Sequence, residues 1–475
     1  MSTLAAAALR ADRIDYWVRR HVIQYWDGTH PSQHKLSPAQ CVGIFSLAYV
    51  IAWRVIMVAN LALRCILVSC GLLIAGVAAI AQAPAPNTPA APAPGAPAPA
   101  PAPGIPPALI PAPFDEALQK AVTSMMTGTA KAAQSGASTE ILVDPLIDPY
   151  TGGQNATTTA MGGKIVQMIR STYPQFKVVK FSAANLSKEP LLLLGTFRPV
   201  NSKNDEKGAR DVFHICLTMI DLKTGIVVGK GPSRALPQGV NLTPTPFFQD
   251  APVWVSDTAV SSYVKTCQTT AVGDRIDQPY ADRLVVASLI TDATDAYDAK
   301  RYADALALYQ SALRTPGGDQ LRVHTGIYLA NWRLQRKAQA EAAFAALVDY
   351  GLKGAKLGVN FLFNPNSTIF YRPKGGAVPY EMWLKTIGTR ADTSHSCLEI
   401  VGHTSKSGAP AINDRLSVLR AQYVRDRLLE VAPSLGGRTL ATGVGSRETI
   451  VGTETDGPFN AIDRRVEFKT VKCSV

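Results

Sequence analysis

A chain of 475 residues exceeds one ordinary domain, and 47% hydrophobic against 18% charged residues suits folded domains rather than a disordered polymer. The formal net charge is +12; seven basic and three acidic residues fall in positions 1–81, leaving +8 on the remainder. That mild excess, with no run of five Lys/Arg and no reading motif, argues against nucleic acid and favours an anionic wall polymer or membrane surface.

Residues 1–81 read as a leader. Cys65–Ala81, CILVSCGLLIAGVAAIA, is an apolar core after Arg64 that ends in Ala79-Ile80-Ala81, the pattern of a secretory signal peptide cleaved before Gln82. A start at Met57 would give a signal peptide of ordinary length. Two alternatives stay open: an uncleaved inner-membrane anchor over 43–81, interrupted by Arg54 and Arg64, and a lipoprotein box at Leu67-Val68-Ser69-Cys70. The expected location is the periplasm or cell envelope, with membrane contact only through an uncleaved leader. Residues 82–113 hold 13 prolines in 32 positions and form a linker of polyproline II type, with a reach of roughly 100 Å at about 3.1 Å per residue.

Four cysteines follow the leader: Cys216, Cys267, Cys397 and Cys473. In an exported chain an even count suggests disulfides, and four cysteines allow three pairings. Keeping each bond inside one segment favours Cys216–Cys267 and Cys397–Cys473. No cysteine or histidine spacing points to a metal site.

From 114 to 274 helical and strand patterns alternate. Helices are expected at 115–126, 157–170 and 256–266, and strands at 140–143, 177–181, 191–196, 213–221 and 225–228. Val143-Asp144-Pro145, Ala184-Asn185-Leu186, Leu194-Gly195-Thr196 and the run Leu217–Gly225 resemble the α/β domain of CsgG-like, LpoB-like and TolB N-terminal envelope proteins. The resemblance implies a sandwich-like module for binding or assembly, without chemistry. Gly162-Gly163-Lys164 lacks the phosphate-loop frame. His214, in a strand-patterned run, reads as a satisfied core or face residue.

From 278 to 352 the chain is helical and repeats itself. Tyr297, Ala305, Ala307 and Tyr309 return thirty-five residues later as Trp332, Ala340, Ala342 and Phe344. The period and the placing of small and large residues resemble tetratricopeptide repeats, which implies a surface for envelope partners; a plain helical hairpin is the alternative.

Residues 359–475 read β-α-β-α-β-β, with strands near 369–372, 398–403, 440–443 and 465–470 and helices near 380–389 and 413–431. Gly402, Thr404, Gly408, Asn413, Leu416, Ser417, Arg420 and Ala421, followed by Arg464-Arg465-Val466-Glu467, fall in the order and spacing of the OmpA-like peptidoglycan-binding domain. Leu362-Phe363-Asn364-Pro365-Asn366-Ser367 fits that family's opening motif. The resemblance implies that Arg420 forks a diaminopimelate carboxylate, with Asn366, Asn413 and Arg464 adding hydrogen bonds and Thr404 lining the floor. Ser405 stands where the family has the aspartate that pairs with the ligand ammonium. A neutral contact in place of a charged one predicts roughly tenfold weaker binding of the stem.

The fold class expected is therefore α+β and multidomain: an α/β sandwich-like domain, a short all-α repeat segment and a C-terminal βαβαββ domain. The function expected is a non-enzymatic envelope protein that binds peptidoglycan stems and recruits partners. The alternative is an envelope scaffold whose OmpA-like fold has lost its ligand. Neither His395 nor His403 has a nucleophile or metal spacing beside it, so no catalytic residue, cofactor or metal is expected.

Overall fold

The computed structural model describes residues 110–134, 138–201, 210–254, 257–355, 357–372, 378–452 and 458–473. The chain divides into two units, Met1–Pro99 and Ala100–Val475, and every described residue belongs to the second. The leader, with its cleavage, anchor and lipid readings, and almost all of the proline-rich linker lie outside the described residues. Among the described residues no helix is long and apolar enough to cross a membrane. The described chain mixes helix and sheet.

Its first part is a five-stranded sheet in the order β2-β1-β3-β4-β5, built from β1 (Glu140–Val143), β2 (Lys177–Val178), β3 (Leu191–Val200), β4 (Val212–Asp221) and β5 (Ile226–Ala235). β1 runs parallel to both β2 and β3, and β3-β4-β5 form an antiparallel meander. The run Leu191–Leu194 shows why this sheet is covered on both faces. Leu191 and Leu193 enter one buried cluster with α1 (Phe114–Gln134) and α2 (Ala156–Thr172). Leu192 and Leu194 enter another with α5 (Thr258–Gln268). A continuous apolar run buries both of its faces. At Gly231 a Cβ would come within 2.1 Å of the Ala121 carbonyl, so α1 reaches the sheet only over a bare backbone.

The structure joins Cys216 on β4 to Cys267 on α5. The helix expected at 115–126 extends to Gln134, and the strand expected at 225–228 runs to Ala235, because α1 and β5 bury each other's length. His214 is the half-buried residue of β4, on its face as one expectation had it, but its Nδ1 is buried without a hydrogen-bond partner. Burial and the nearby Arg198, Arg234 and Lys230 charges push its pKa down to about 4. Two short helices, α3 (Ala183–Leu186) and α4 (Pro246–Asp250), edge this part.

After α6 (Gln278–Ala281) come two helical hairpins, α7 (Leu284–Asp298) with α8 (Tyr302–Arg314) and α9 (Leu321–Arg333) with α10 (Lys337–Lys353). Their repeat is local and physical. Lys300 and Gln335 turn the two hairpins with left-handed backbone, φ 60° and 59°. The Arg301 amide donates to Ala296 O and the Arg336 amide to Asn331 O, one repeat apart. Ala305 and Ala340, and Tyr309 and Phe344, are all completely buried.

The last part is a four-stranded sheet in the order β6-β9-β7-β8: β6 (Asn360–Leu362), β7 (Cys397–Gly402), β8 (Thr439–Gly443) and β9 (Arg465–Val471). Two helices, α11 (Tyr380–Thr393) and α12 (Pro410–Val431), complete it. The element order is β-α-β-α-β-β, but the first strand is Asn360–Leu362 and not 369–372. Phe361 and Phe363 are buried, whereas Ile369 is two-thirds exposed and only Phe370 forms an isolated bridge, to Phe363. Cys397, at the start of β7, is bonded to Cys473 beyond β9. The hairpins and this sheet share one core, in which Phe344 stacks on Trp383 at 5.6 Å and the Trp383 indole donates to the Tyr328 hydroxyl at 2.8 Å.

Candidate functional site

The polar loop between β7 and α12 sits where a strand ends and a helix begins. Its position depends on two glycines that admit the helix: a Cβ at Gly402 would meet Ser417 O at 1.9 Å, and one at Gly443 would meet Ser417 Oγ at 2.5 Å. Ser417 Oγ accepts from the Gly445 amide at 2.9 Å, and the Thr404 amide donates to Gly445 O at 2.9 Å. These bonds hold the end of β7 to the segment after β8. Gly408, at φ +91°, turns the loop toward α12.

The structure brings the predicted residues to one end of this sheet but gives most of them internal work. Arg420 is fully buried. Its Nε donates to Ser367 O at 2.9 Å, Nη1 to His403 O at 3.0 Å and Nη2 to Asn364 O at 3.0 Å, and the guanidinium lies 5.2 Å from the Phe363 ring centre. The arginine therefore fastens the 364–367 turn to the end of β7. Arg464 is buried, and its Nε donates to Phe363 O at 3.1 Å. Asn413 donates through Nδ2 to Ser407 O at 3.1 Å, closing the loop on itself. Ser405 is buried, its hydroxyl 3.1 Å from that of Ser407. Thr404 is also buried, and its Oγ1 has no hydrogen-bond partner. Asn366 differs from the rest: it is exposed, on left-handed backbone at φ 49°. Asparagine tolerates that conformation better than most residues.

Beside the loop lies a group that the sequence does not announce, because its members are far apart in the chain. His403, Glu448 and Glu467 place ligand-type atoms within 4.8 Å of one another. The His403 Nε2 faces Glu467 Oε1 at 3.4 Å, outside hydrogen-bond geometry, and neither ring nitrogen has a hydrogen-bond partner. Burial, helped by Arg465, pushes the His403 pKa down. Burial works against the Glu467 carboxylate, yet His403, Arg465 and Lys469 hold its pKa well below the usual range. Lys469 Nζ stands 3.6 Å from both carboxylates and Arg465 Nε 3.3 Å from Glu467, so positive charge already balances the pair.

Two further contacts fix the far side of the late Arg-Arg motif. Asp463 accepts from the amides of Ile450 at 2.6 Å, Val451 at 2.9 Å and Gly452 at 2.9 Å. Arg210, from the first part of the chain, donates to Ile450 O at 2.7 Å and Thr449 O at 3.0 Å. Asp463 stands directly before the late Arg464-Arg465 pair, but its hold on 450–452 has no sequence pattern. Arg210 stands at the end of a polar stretch with no pattern either.

A search of family models finds no match to the chain, and a search of curated proteins finds none. Solved structures do give likenesses. The peptidoglycan-associated lipoprotein of Burkholderia pseudomallei is 21% identical, the match covering 24% of this chain and 89% of that one at a TM-score of 0.20. A putative MotB-like protein of Desulfovibrio vulgaris is 20% identical over 29% of this chain and 98% of that one, at 0.21. The cell wall anchor of the T6SS of Pseudomonas aeruginosa is 22% identical over 27% of this chain and 95% of that one, at 0.20. Likenesses of this size do not carry function from one chain to another.

Proposed function

We propose that the chain is a non-enzymatic protein of the bacterial cell envelope whose segment 359–475 engages the stem peptide of peptidoglycan. Its helical hairpins, in the manner of tetratricopeptide repeats, and its first α/β part, in the manner of CsgG-like domains, would recruit envelope partners. The observation that carries this reading is convergence. Asn413, Arg420 and Arg464 come from separate stretches: Asn413 and Arg420 bond the 402–408 loop that carries Thr404 and Ser405, Arg420 also bonds the 364–367 turn, and Arg464 bonds Phe363 O just before that turn. The orphaned Thr404 hydroxyl supplies a polar group that a ligand would satisfy.

The burial of Arg420 sharpens its role. A stem carboxylate reaches the guanidinium only if the 364–367 turn lifts; otherwise Arg420 holds that turn and the exposed Asn366 makes the contact. The same burial favours a second reading, an envelope scaffold that keeps the fold and has lost the ligand. Sedimentation of the full chain with isolated sacculi separates them, using wild type, Asn366→Ala and Ser405→Asp. Binding by wild type, weakened by Asn366→Ala and raised about tenfold by Ser405→Asp, supports the first reading. A gain from an undetectable baseline supports the scaffold. Failure of both wild type and Ser405→Asp to sediment above a control protein overturns wall binding.

A further inference from the structure

An aromatic-walled cavity lies away from the loop, where α4, α9, β6 and α11 meet. It measures about 150 Å³. Its back is Tyr328 and Trp383, both buried and bonded to each other. Its open walls are Trp254, Trp332 and Tyr371, each only half-buried. Along its floor runs an ion pair: Arg333 donates through Nε to Asp250 Oδ2 at 3.1 Å and again through Nη2, and the Tyr297 hydroxyl donates to the same oxygen at 2.6 Å. Asn360 also lines the cavity. Its Nδ2 is used on Gly358 O at 2.8 Å, but its buried Oδ1 has no partner.

We infer that this cavity binds a single neutral pyranose ring, an N-acetylated hexosamine of a glycan. Flat aromatic walls match the apolar C–H face of a sugar ring, and a few convergent polar groups fix its orientation. The Asp250–Arg333 pair cancels its own charge, which leaves nothing to reward an ammonium or a carboxylate ligand. A lipid chain would fill the walls but leave the ion pair and Asn360 without donors from the ligand. A sugar hydroxyl or acetamido N–H satisfies Asn360 Oδ1, and an unmet buried acceptor is the costly state. The choice of an acetylated sugar rests on the wall-binding reading; the pyranose itself does not.

The test is tryptophan fluorescence of the full chain titrated with chitotetraose, a free stem tripeptide and decanoate. A saturable change with chitotetraose is expected for wild type, weakened at least tenfold in Trp332→Ala. Should Trp332→Ala fail to fold, as judged by circular dichroism, Tyr371→Ala carries the same expectation. Sugar binding that vanishes in the cavity variants without any tripeptide binding supports the cavity and counts against the stem site alone. No saturable response of wild type at millimolar sugar overturns the inference. So does a response that survives in both variants, or binding of decanoate without the sugar, which would make the cavity a lipid site.

Discussion

Two buried charges of opposite sign, Asp144 beside the first sheet and Arg420 beside the second, are satisfied in opposite ways. Just past β1 the carboxyl of Asp144 is enclosed with one short bond, from the Tyr280 hydroxyl at 2.7 Å. Burial outweighs that bond and the Arg322 charge and raises the pKa from 3.8 to about 7. Beside the second sheet Arg420 is enclosed with three backbone carbonyls. A carboxyl can escape the cost of burial by taking up a proton, whereas a guanidinium cannot lose one in the accessible range. The first buried charge is therefore a titrating element, and the second is a permanent brace. Motif residues need not be ligand residues.

The sharpest way to break that contrast is Arg420→Ala. Removing the guanidinium strands three carbonyls at the end of β7 and in the 364–367 turn. A loss of about 3–5 kcal/mol is expected in urea denaturation of the full chain. Arg420→Lys should fall between, since one ammonium cannot span three carbonyls held in a fork. A loss below about 1 kcal/mol in Arg420→Ala would show that the brace is dispensable and return the residue to ligand duty.

How much of this was legible follows from how local each signal is. The strand at Cys397–Gly402, the helix through Arg420 and the final strand from Arg465 come within a few residues of expectation, because periodicity and short motifs are local. The repeat was legible for the same reason: Tyr297 and Trp332 each stand before the same left-handed turn. The first strand of the C-terminal sheet was misplaced because β-type residues occur at both 360–363 and 369–372, and only packing decides between them. Arg420 was legible as a motif residue by type and spacing. Its burial was not, because that depends on carbonyls from a turn more than fifty residues earlier. The aromatic cavity had no signature at all; its walls come from three stretches that meet only in the fold.

The titrating half of the contrast predicts a pH dependence with a definite sign. The Asp144 pKa is raised on folding, so its contribution is fully present below about pH 4, falls as pH rises and is lost above about pH 7. Between pH 5 and pH 8 this amounts to roughly 3 kcal/mol at most. Asp144→Asn keeps an acceptor for Tyr280 and removes the titration, so its stability should gain on wild type as pH rises. His214 works with the opposite sign, because its depressed pKa removes stability as pH falls from 6.5 toward about 4. The difference between wild type and Asp144→Asn cancels that background. Parallel melting curves of the two proteins at pH 5 and pH 8 would show that Asp144 does not titrate on unfolding.

The smallest expected effect tests whether the two halves are one cooperative body. Arg210 reaches from the strand-β4 side of the first sheet to Thr449 O and Ile450 O of the second part, with its guanidinium 5.5 Å from the Tyr150 ring centre. Asp463 holds the same 450–452 segment from the other side through three amides. The segment is thus gripped by a cation from one half and an anion from the other, on its carbonyls and its amides respectively. Arg210→Ala releases the first grip only, and about 1.5–3 kcal/mol is the ordinary worth of hydrogen bonds from a charged donor. The second sheet keeps Asp463, its disulfide and the core it shares with the hairpins, so it has no reason to lose its own stability. Calorimetry is therefore expected to show wild type melting in one transition and, in Arg210→Ala, the first part melting earlier, ahead of the hairpins and the C-terminal sheet. A variant that still melts in a single unshifted transition would place the coupling elsewhere, in the contacts of Val253 and Pro252 with Val359 and Asn360.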